Sequence, residues 1–347
     1  MPRGFEIALD PVSAAVVIGT AVVVGMAIGM MPAARLWRIN MNEALREEGR
    51  SGTSSRSTNL LRRGLAVAQV TIAFVLLIGA GLLLASFRNV LKIDPGVTPG
   101  NVITGAMTLP STAYKDEQLA PFAERLLESV RRLPGVESAA VTTNVPFSGD
   151  HSDSVILAEN YQMKPGESLV SPMDVIVSDG FFETMKIRLV KGRTFTPADR
   201  DGATRAIVVD EKVAEHFWPG QDPIGRRMFK PENAQNLFAT GPETKWLTVV
   251  GVVREVQYDG IALPTPSVGA YYRPFAQEPD NGFGMVVRTA RGDGIVPELR
   301  GAVAALDPAL PLYAIHPMDE YVSDALLSRR VPMFLALVFG AVALFLS

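Results

Sequence analysis

The chain has 347 residues, no cysteine and a formal net charge of −3 at pH 7. The near-neutral charge argues against a nucleic-acid surface, and the absence of cysteine excludes disulfides and zinc sites built on thiolates. Hydrophobic residues make up 48%, and the mean hydropathy of +0.19 fits membrane spans attached to a polar domain of about 240 residues.

Three long stretches contain no charged residue: Val12–Ala34, Gly64–Phe87 and Val331–Ser347. About 20 apolar residues in a helix cross the hydrocarbon core of a bilayer. A buried helix of a soluble core is the alternative for Gly64–Phe87, but such helices nearly always show a polar face. The sequence therefore predicts transmembrane helices at residues 1–34, 64–87 and 331–347. We expect the first to end a preceding unit and the third to be truncated.

The linker at residues 35–63 is rich in arginine, which orients the spans. Its acids are Glu43, Glu47 and Glu48. Its basic residues are Arg35, Arg38, Arg46, Arg50, Arg56, Arg62 and Arg63. Short loops rich in Lys and Arg stay in the cytoplasm, so the linker is predicted to be cytoplasmic and residues 88–330 extracytoplasmic. Arg329 and Arg330 oppose this orientation mildly.

The extracytoplasmic region contains two similar β-α-β patterns. Each has a strand-like run, a helical stripe, a turn with proline and a second strand. The predicted strands are Asn101–Leu109, Glu137–Val145, Phe283–Thr289 and Leu312–His316. The helical stripes are Leu119, Phe122, Leu126, Val130 and Leu133, then Val296, Leu299, Val303 and Leu306. Two such units commonly build a ferredoxin-like sandwich, although unrelated β-α-β units are an alternative.

Residues 148–281 predict an inserted, mostly β subdomain between the porter-like β-α-β segments 88–147 and 282–318. Short β-type runs separated by Gly and Pro are typical of such a subdomain. These runs are "SVIL", "MDVIVS", "RAIVVD" and "WLTVVGVVREV". One short helix is predicted at Asp210–Phe217, capped by Asp210. We expect Leu83–Leu91 and Met318–Leu327 to extend the membrane helices outward as a stalk.

The fold class predicted is thus a membrane protein with α-helical spans and an extracytoplasmic α+β domain. In that domain, ferredoxin-like β-α-β repeats carry the inserted, mostly β subdomain.

Asp150, His151 and Asp153 form the strongest metal-like cluster in the sequence, but in a Gly-Ser loop they favour a solvated turn. The turn at Asp199 and Asp201 lacks the DxDxDG pattern of a calcium loop. Packing is predicted for His216, beside two aromatic residues, while His316 has no obvious partner. Sequence motifs of a P-loop, a serine hydrolase or a zinc protease are also absent. We therefore assign no catalytic, cofactor-binding or metal-binding residue.

The run Phe181–Phe229 resembles the signature of the MacB-like periplasmic core domain. The matching motifs include "FFETM", "GRTFTPADRDG", "IVVDEKVAEHFWPGQDPIG", "VVGVVREVQYDGI" and "YYRPFAQ". The spans resemble FtsX-like permease segments, and "RINMNEALREEGR" before a second unit is similar to duplicated orphan ABC permeases. The resemblance covers about residue 60 to the C-terminus.

The resemblance implies a non-catalytic permease subunit of an ABC transporter in the cell membrane. A partner ABC ATPase on a separate chain would supply ATP hydrolysis, and the stalk would transmit motion to the extracytoplasmic domain. The process would be efflux or the export of lipoproteins or peptides. Further implied partners are a second permease in a dimer, a periplasmic adaptor and membrane lipid, with no nucleic acid.

Two alternatives belong to other classes. A membrane-anchored sensor would continue after the last span into a signalling helix, whereas a permease would continue into two more spans. A membrane-anchored enzyme would need an acid–base pair in a cleft, and Asp150, His151 and Asp153 are its only candidates.

Overall fold

The structure is a computed structural model that describes residues 56–90, 93–232, 236–258 and 267–346, with Gly19, Val22 and Met26. Those three residues are helical. The rest of the predicted span at residues 1–34 and most of the basic linker at 35–63 lie outside the described residues. From Thr71 onward the described residues form one compact unit.

Among the described residues from Arg56 onward, two long helices flank the domain and four shorter ones lie within it. The helices are α1 (Arg56–Val90), α2 (Asp116–Arg131), α3 (Phe181–Met185), α4 (Glu211–Phe217), α5 (Val296–Leu306) and α6 (Met318–Leu346). Within the described residues, Val67–Val90 of α1 is the stretch long and apolar enough to cross a membrane. Both α1 and α6 run unbroken from an apolar stretch to the domain.

The strands of the described part of the domain form one mixed sheet. Its strands are β1 (Val102–Thr108), β2 (Val136–Thr142), β3 (Leu157–Ala158), β4 (Met173–Val177), β5 (Leu189–Gly192), β6 (Ala206–Asp210), β7 (Arg227–Phe229), β8 (Leu247–Val253), β9 (Ala270–Pro274), β10 (Gly282–Thr289) and β11 (Tyr313–Pro317). The order is β11-β1-β10-β2-β4-β9-β6-β8-β7-β3, with β5 beside β8. Two of the pairs, β4–β9 and β6–β8, are parallel.

The β-α-β part, which we define as residues 93–147 and 282–317, supplies strands β11, β1, β10 and β2, all paired antiparallel. The four predicted strands are confirmed here, with ends shifted by at most three residues. Both predicted helical stripes lie on helices, α2 and α5, and turn toward the same core. The buried stripe residues are Leu119, Phe122, Leu126, Val130, Leu299 and Val303.

The inner strands β1, β2 and β10 of the β-α-β part are buried on both faces over most of their length, whereas the edge strand β11 is largely exposed. Val141 and Val287 point to the core beneath α2 and α5, whereas their neighbours Ala140 and Val286 point to a second core. Alternate residues of a strand face opposite sides of a sheet, so both faces here are covered by protein. This explains why the sequence shows continuous apolar runs rather than an apolar–polar alternation.

The inserted part, residues 148–281, contains β3 to β9 with α3 and α4. The predicted helix is confirmed as α4, with Asp210 as its N-cap. A second short helix in this part, α3, was not predicted. The strand predicted at "SVIL" was wrong for its first three residues, since β3 contains only Leu157 and Ala158.

One residue pair, Thr142 with Val177, joins the sheet across the boundary between the two parts. The stronger connection is a shared core. Val102, Ala140 and Val286 of the β-α-β part pack in one cluster with residues of the inserted part, which include Val175, Phe181, Phe182, Met185, Val208 and Tyr272. Burying one large apolar side chain contributes roughly 1.5–3 kcal/mol, so this core holds the two parts together.

Candidate functional site

The connector, residues Ile93–Gly100, links α1 to β1 and has the sequence IDPGVTPG. The amide of Ile93 donates to the carbonyl of Val90 at 3.1 Å, which joins the connector to the last turn of α1. Gly96 has φ +80°, and a Cβ there would lie 2.0 Å from the carbonyl oxygen of Glu255. Only glycine fits a turn that approaches another backbone this closely.

The connector is hydrogen-bonded to the inserted part, although the chain then continues into the β-α-β part. The amide of Gln257 donates to the carbonyl of Pro95 at 3.0 Å, and the amide of Thr98 donates to that of Met185 at 3.0 Å. Asp94 pairs with Arg254 at 3.2 Å. These bonds hold the segment after α1 against the end of β8 and the end of α3.

Arg288 of β10 lies behind the connector and is only 3% exposed. Its guanidinium donates to the carbonyls of Thr184 at 2.7 Å, Gly100 at 2.7 Å and Thr98 at 2.8 Å. Burial lowers the pKa of this guanidinium from its usual value, while Glu137 acts in the opposite direction. The side chain therefore bridges the connector, α3 and β10 through three charge-assisted hydrogen bonds.

The second long helix leaves the domain directly from the edge strand β11. Met318, the first residue of α6, is fully buried in the shared core, and Tyr321, Val322 and Ala325 pack against that core. The hydroxyl of Thr104 donates to the carbonyl of His316 at 3.0 Å. No loop separates β11 from α6, so the helix and the sheet are continuous.

Small residues lie where the two long helices meet. Ala73 and Ala80 of α1 are buried, and a Cβ on Gly340 of α6 would lie 3.3 Å from Leu77. Small side chains let two helices approach closely. The large apolar side chains on the other faces are exposed, among them Val70, Ile72, Phe74, Val75, Ile78, Leu82, Phe334, Phe339 and Phe345.

A polar cleft of about 470 Å³ contains two residues of the cluster singled out in the sequence, Asp150 and His151. His151 Nε2 lies 3.2 Å from Asp153 Oδ1, and all three side chains are exposed. Among the described residues, no group of three or more His, Asp or Glu is placed to hold a metal ion. The cluster is a surface loop that borders the cleft.

Asp174 is the buried acid of this cleft, and its carboxylate binds two cationic side chains. Arg273 binds both of its carboxylate oxygens, and Lys230 Nζ lies 2.6 Å from Oδ2. Glu278 pairs with Arg273 on the other side. Burial acts to raise the pKa of Asp174, but Arg273 and Lys230 outweigh it and hold this pKa below the usual value.

Asp210 is a second buried acid, at the N-terminus of α4. Its two oxygens accept from the amides of Val213 and Ala270, each at 2.8 Å. Burial, with a smaller contribution from nearby Glu255, raises the pKa of Asp210 to about 7 against the lowering effects of these two amides and of Lys212. The acid therefore joins α4 to the start of β9 and is protonated in part at neutral pH.

The other residues considered in the sequence have structural partners. Asp199 binds Arg193 at 2.6 and 2.8 Å. His216 packs on Phe217 with ring centroids 4.7 Å apart, as predicted. The expectation that His316 lacks a partner was wrong, because its Nδ1 lies 3.2 Å from Glu320 Oε2, one helical turn further along the chain.

Sequence reasoning missed Arg288 and the pair of Asp174 and Arg273. A signal was present, because each charge interrupts an apolar strand: "GMVVRT", "MDVIV" and "AYYRP". Charged residues are almost never fully buried unless paired, so a charge within a buried strand indicates a specific partner. The identity of that partner is not readable from the strand itself.

Comparison with known proteins gives one family. Residues 64–302 match the family model of the MacB-like periplasmic core domain. This range covers more than half of the chain. No curated protein sequence matches the chain.

Three solved structures with similarity to the chain are the following. The periplasmic region of MacB from Actinobacillus actinomycetemcomitans is 15% identical, with a TM-score of 0.42, over 67% of this chain and 95% of that one. The extracellular domain of the noncanonic ABC-type transporter YknZ from Gram-positive bacteria is 18% identical, with a TM-score of 0.38, over 60% and 98%. A domain of a putative permease from Porphyromonas gingivalis is 14% identical, with a TM-score of 0.38, over 63% and 91%.

Proposed function

Because the chain belongs to the MacB-like periplasmic core domain family, we propose that it is the transmembrane permease subunit of an ABC transporter. The family supplies a permease component rather than a catalytic enzyme. The observation that supports the proposal is the way the two long helices join the domain. Both α1 and α6 enter one domain whose two parts share a buried core, so motion of the helices reaches the whole domain.

We place the chain in the cell membrane as a multi-pass protein. In this proposal residues 1–34, 64–87 and 331–347 are spans, 35–63 is a cytoplasmic linker and 88–330 is extracytoplasmic. The apolar length of Val67–Val90 and the arginines of the linker support this arrangement. The exposed apolar side chains of α1 and α6 fit contact with lipid.

We also propose that the domain is a ferredoxin-like unit, residues 88–147 and 282–318, with the subdomain 148–281 inserted. The strand order β11-β1-β10-β2, with α2 and α5 over one face, supports it. Two β-α-β units paired antiparallel give this order.

The mechanism proposed is mechanotransmission. A separate ABC ATPase binds and hydrolyses ATP in the cytoplasm, a permease dimer responds, and α1 and α6 carry the motion to the extracytoplasmic domains. Such a mechanism uses rigidity and needs no reacting group in the domain. Efflux or the export of lipoproteins or peptides is the proposed process, with a periplasmic adaptor as a further partner.

The test is purification of the protein from detergent-solubilised membranes, followed by an ATPase assay on what co-purifies. The proposal predicts a nucleotide-binding protein whose ATP turnover changes when the permease is present. A tagged unrelated membrane protein is the control for adventitious capture. If no ATPase co-purifies and a cytoplasmic signalling protein does, the domain is a membrane-anchored sensor and the permease assignment is wrong.

A further inference from the structure

The connector after α1 is anchored more firmly than its sequence suggests. A loop of eight residues with two prolines and two glycines lies outside regular structure, and such segments usually absorb motion. Here the amide of Thr98 and the carbonyl of Pro95 are both bonded to the inserted part. Val97, between them, is buried in the shared core.

Arg288 connects three segments that are distant in the chain. It starts from β10 in the β-α-β part, and its partners lie in the connector and at the end of α3. The planar fork of a guanidinium can bond several acceptors at once in a fixed geometry. Its three acceptors are backbone carbonyls, so the side chain fixes main-chain positions rather than side chains.

Because Arg288 is buried, the connector resists displacement from it. A buried cation that loses an acceptor is left without compensation, because water does not reach it. Moving the connector away from Arg288 breaks the bonds to Thr98 and Gly100 together. The connector is therefore held to the domain by a contact that resists partial opening.

We propose that Arg288 is a positioning residue that makes the connector a rigid joint, through which motion of α1 is delivered to the inserted part of the domain. This inference rests on the proposed function, because it names the joint of the proposed mechanotransmission. With the joint intact, α1 and the inserted part move together. With it broken, the connector absorbs the motion of the helix.

The experiment is hydrogen exchange on the full chain in lipid nanodiscs, comparing the wild type with Arg288→Met. Peptides covering Thr98 and Gln257 are expected to exchange about tenfold faster in the variant. This factor corresponds to the loss of roughly one hydrogen bond to a charged group. Arg288→Lys keeps the charge but not the fork, and its exchange is expected to fall between the two.

Arg291→Met is the matched control. Arg291 lies three residues further along and donates to Pro134, Gly294 and Glu298, but has no bond to the connector. The proposal is overturned if the connector exchanges as in the wild type in Arg288→Met, or if Arg291→Met accelerates it equally. Protection of the β1–β10 pair shows that each variant is folded.

If Arg288→Met does not fold, Asp94→Ala provides a second test of the rigid joint. Asp94 is exposed, and it holds the connector through Arg254 and the amide of Gly96. Faster exchange of the connector alone is the expected result, and unchanged exchange overturns the rigid joint.

Failure of the joint and failure of the proposed function give different results. Spin labels at Asn89→Cys in α1 and Glu211→Cys in the inserted part report the distance between them, since the chain has no native cysteine. Arg288→Met is expected to broaden this distance distribution without any ATPase present. If the distance distribution of Arg288→Met is as narrow as that of the wild type, the rigid joint is contradicted. If no ATPase partner is found, only the proposed permease function is contradicted.

Discussion

Arg273 binds Asp174 through two hydrogen bonds, Nε to Oδ1 at 2.8 Å and Nη2 to Oδ2 at 3.0 Å, across the parallel strands β9 and β4. Each residue is 5% exposed. The pair lies in the first and second strands of the sheet beyond the boundary between the two parts. Its integrity therefore bears on whether the domain behaves as one body.

Asp174→Ala is expected to destabilise the domain strongly. It leaves Arg273 buried without its main partner, and breaking one side of a buried pair costs about 3–5 kcal/mol. Urea unfolding measures the loss. Asp222→Ala is the control, because Asp222 forms an exposed pair with Lys191 and should hardly shift the unfolding midpoint. Similar midpoints for the two variants would show that Asp174 contributes no more than a surface charge.

Asp210 gives the stability a specific dependence on pH. Its pKa is about 7 in the folded protein against a usual value of 3.8, so the folded state binds the extra proton between these values. The stabilisation is complete below about pH 4 and is lost as the pH rises to about 7, by at most ~1.4 kcal/mol per pH unit. Above pH 7 this contribution no longer changes.

The measurement is the free energy of unfolding of the wild type minus that of Asp210→Asn, from pH 4 to pH 9. The asparagine cannot titrate, so this difference should fall up to about pH 7 and then stay level. A difference that stays level from about pH 5 to pH 9 would mean that Asp210 is charged in the folded protein throughout this range.

Gly96→Ala is expected to lower the free energy of unfolding by more than about 2 kcal/mol, because it combines left-handed backbone strain with a steric clash. The new Cβ would lie 2.0 Å from the carbonyl oxygen of Glu255. Gly202→Ala is the matched control, with φ +81° against +80° but nothing within 4 Å. It should cost about 1 kcal/mol from the backbone alone. Equal costs would exclude the close approach of the connector to Glu255.

The proposed membrane orientation predicts the reactivity of single cysteines introduced into a chain that has none. Glu117→Cys in the domain should react with a membrane-impermeant maleimide in cells whose outer envelope has been removed. Ser51→Cys in the basic linker should react only after the membrane is permeabilised. The opposite pattern would invert the topology.

Local patterns predicted most of the β-α-β part, because its signals lie within short stretches of sequence. The stripes on α2 and α5 mark one buried face each, and Asp210 caps the helix that follows it directly. The short elements β3, β5, β7 and α3 have five residues or fewer, too few to show a period.

The joint at the connector was not predictable from these patterns. Arg288 lies 104 residues from Thr184 and 190 residues from Thr98 along the chain. Its acceptors are backbone carbonyls, which every residue carries, so no residue type marks them. The shared core was missed for a similar reason. A strand buried on both faces has no polar side from which a partner layer could be inferred.

The most direct test of the central claim is a distance measurement between the two domains of a permease dimer bound to its ATPase. A single spin label at Glu117→Cys on α2 reports it in nanodiscs, with and without ATP trapped by vanadate. The account predicts that trapping shifts this distance while the distance between labels at Glu117→Cys and Glu211→Cys within one chain stays constant. ATP turnover with no shift between the domains would contradict mechanotransmission by this chain.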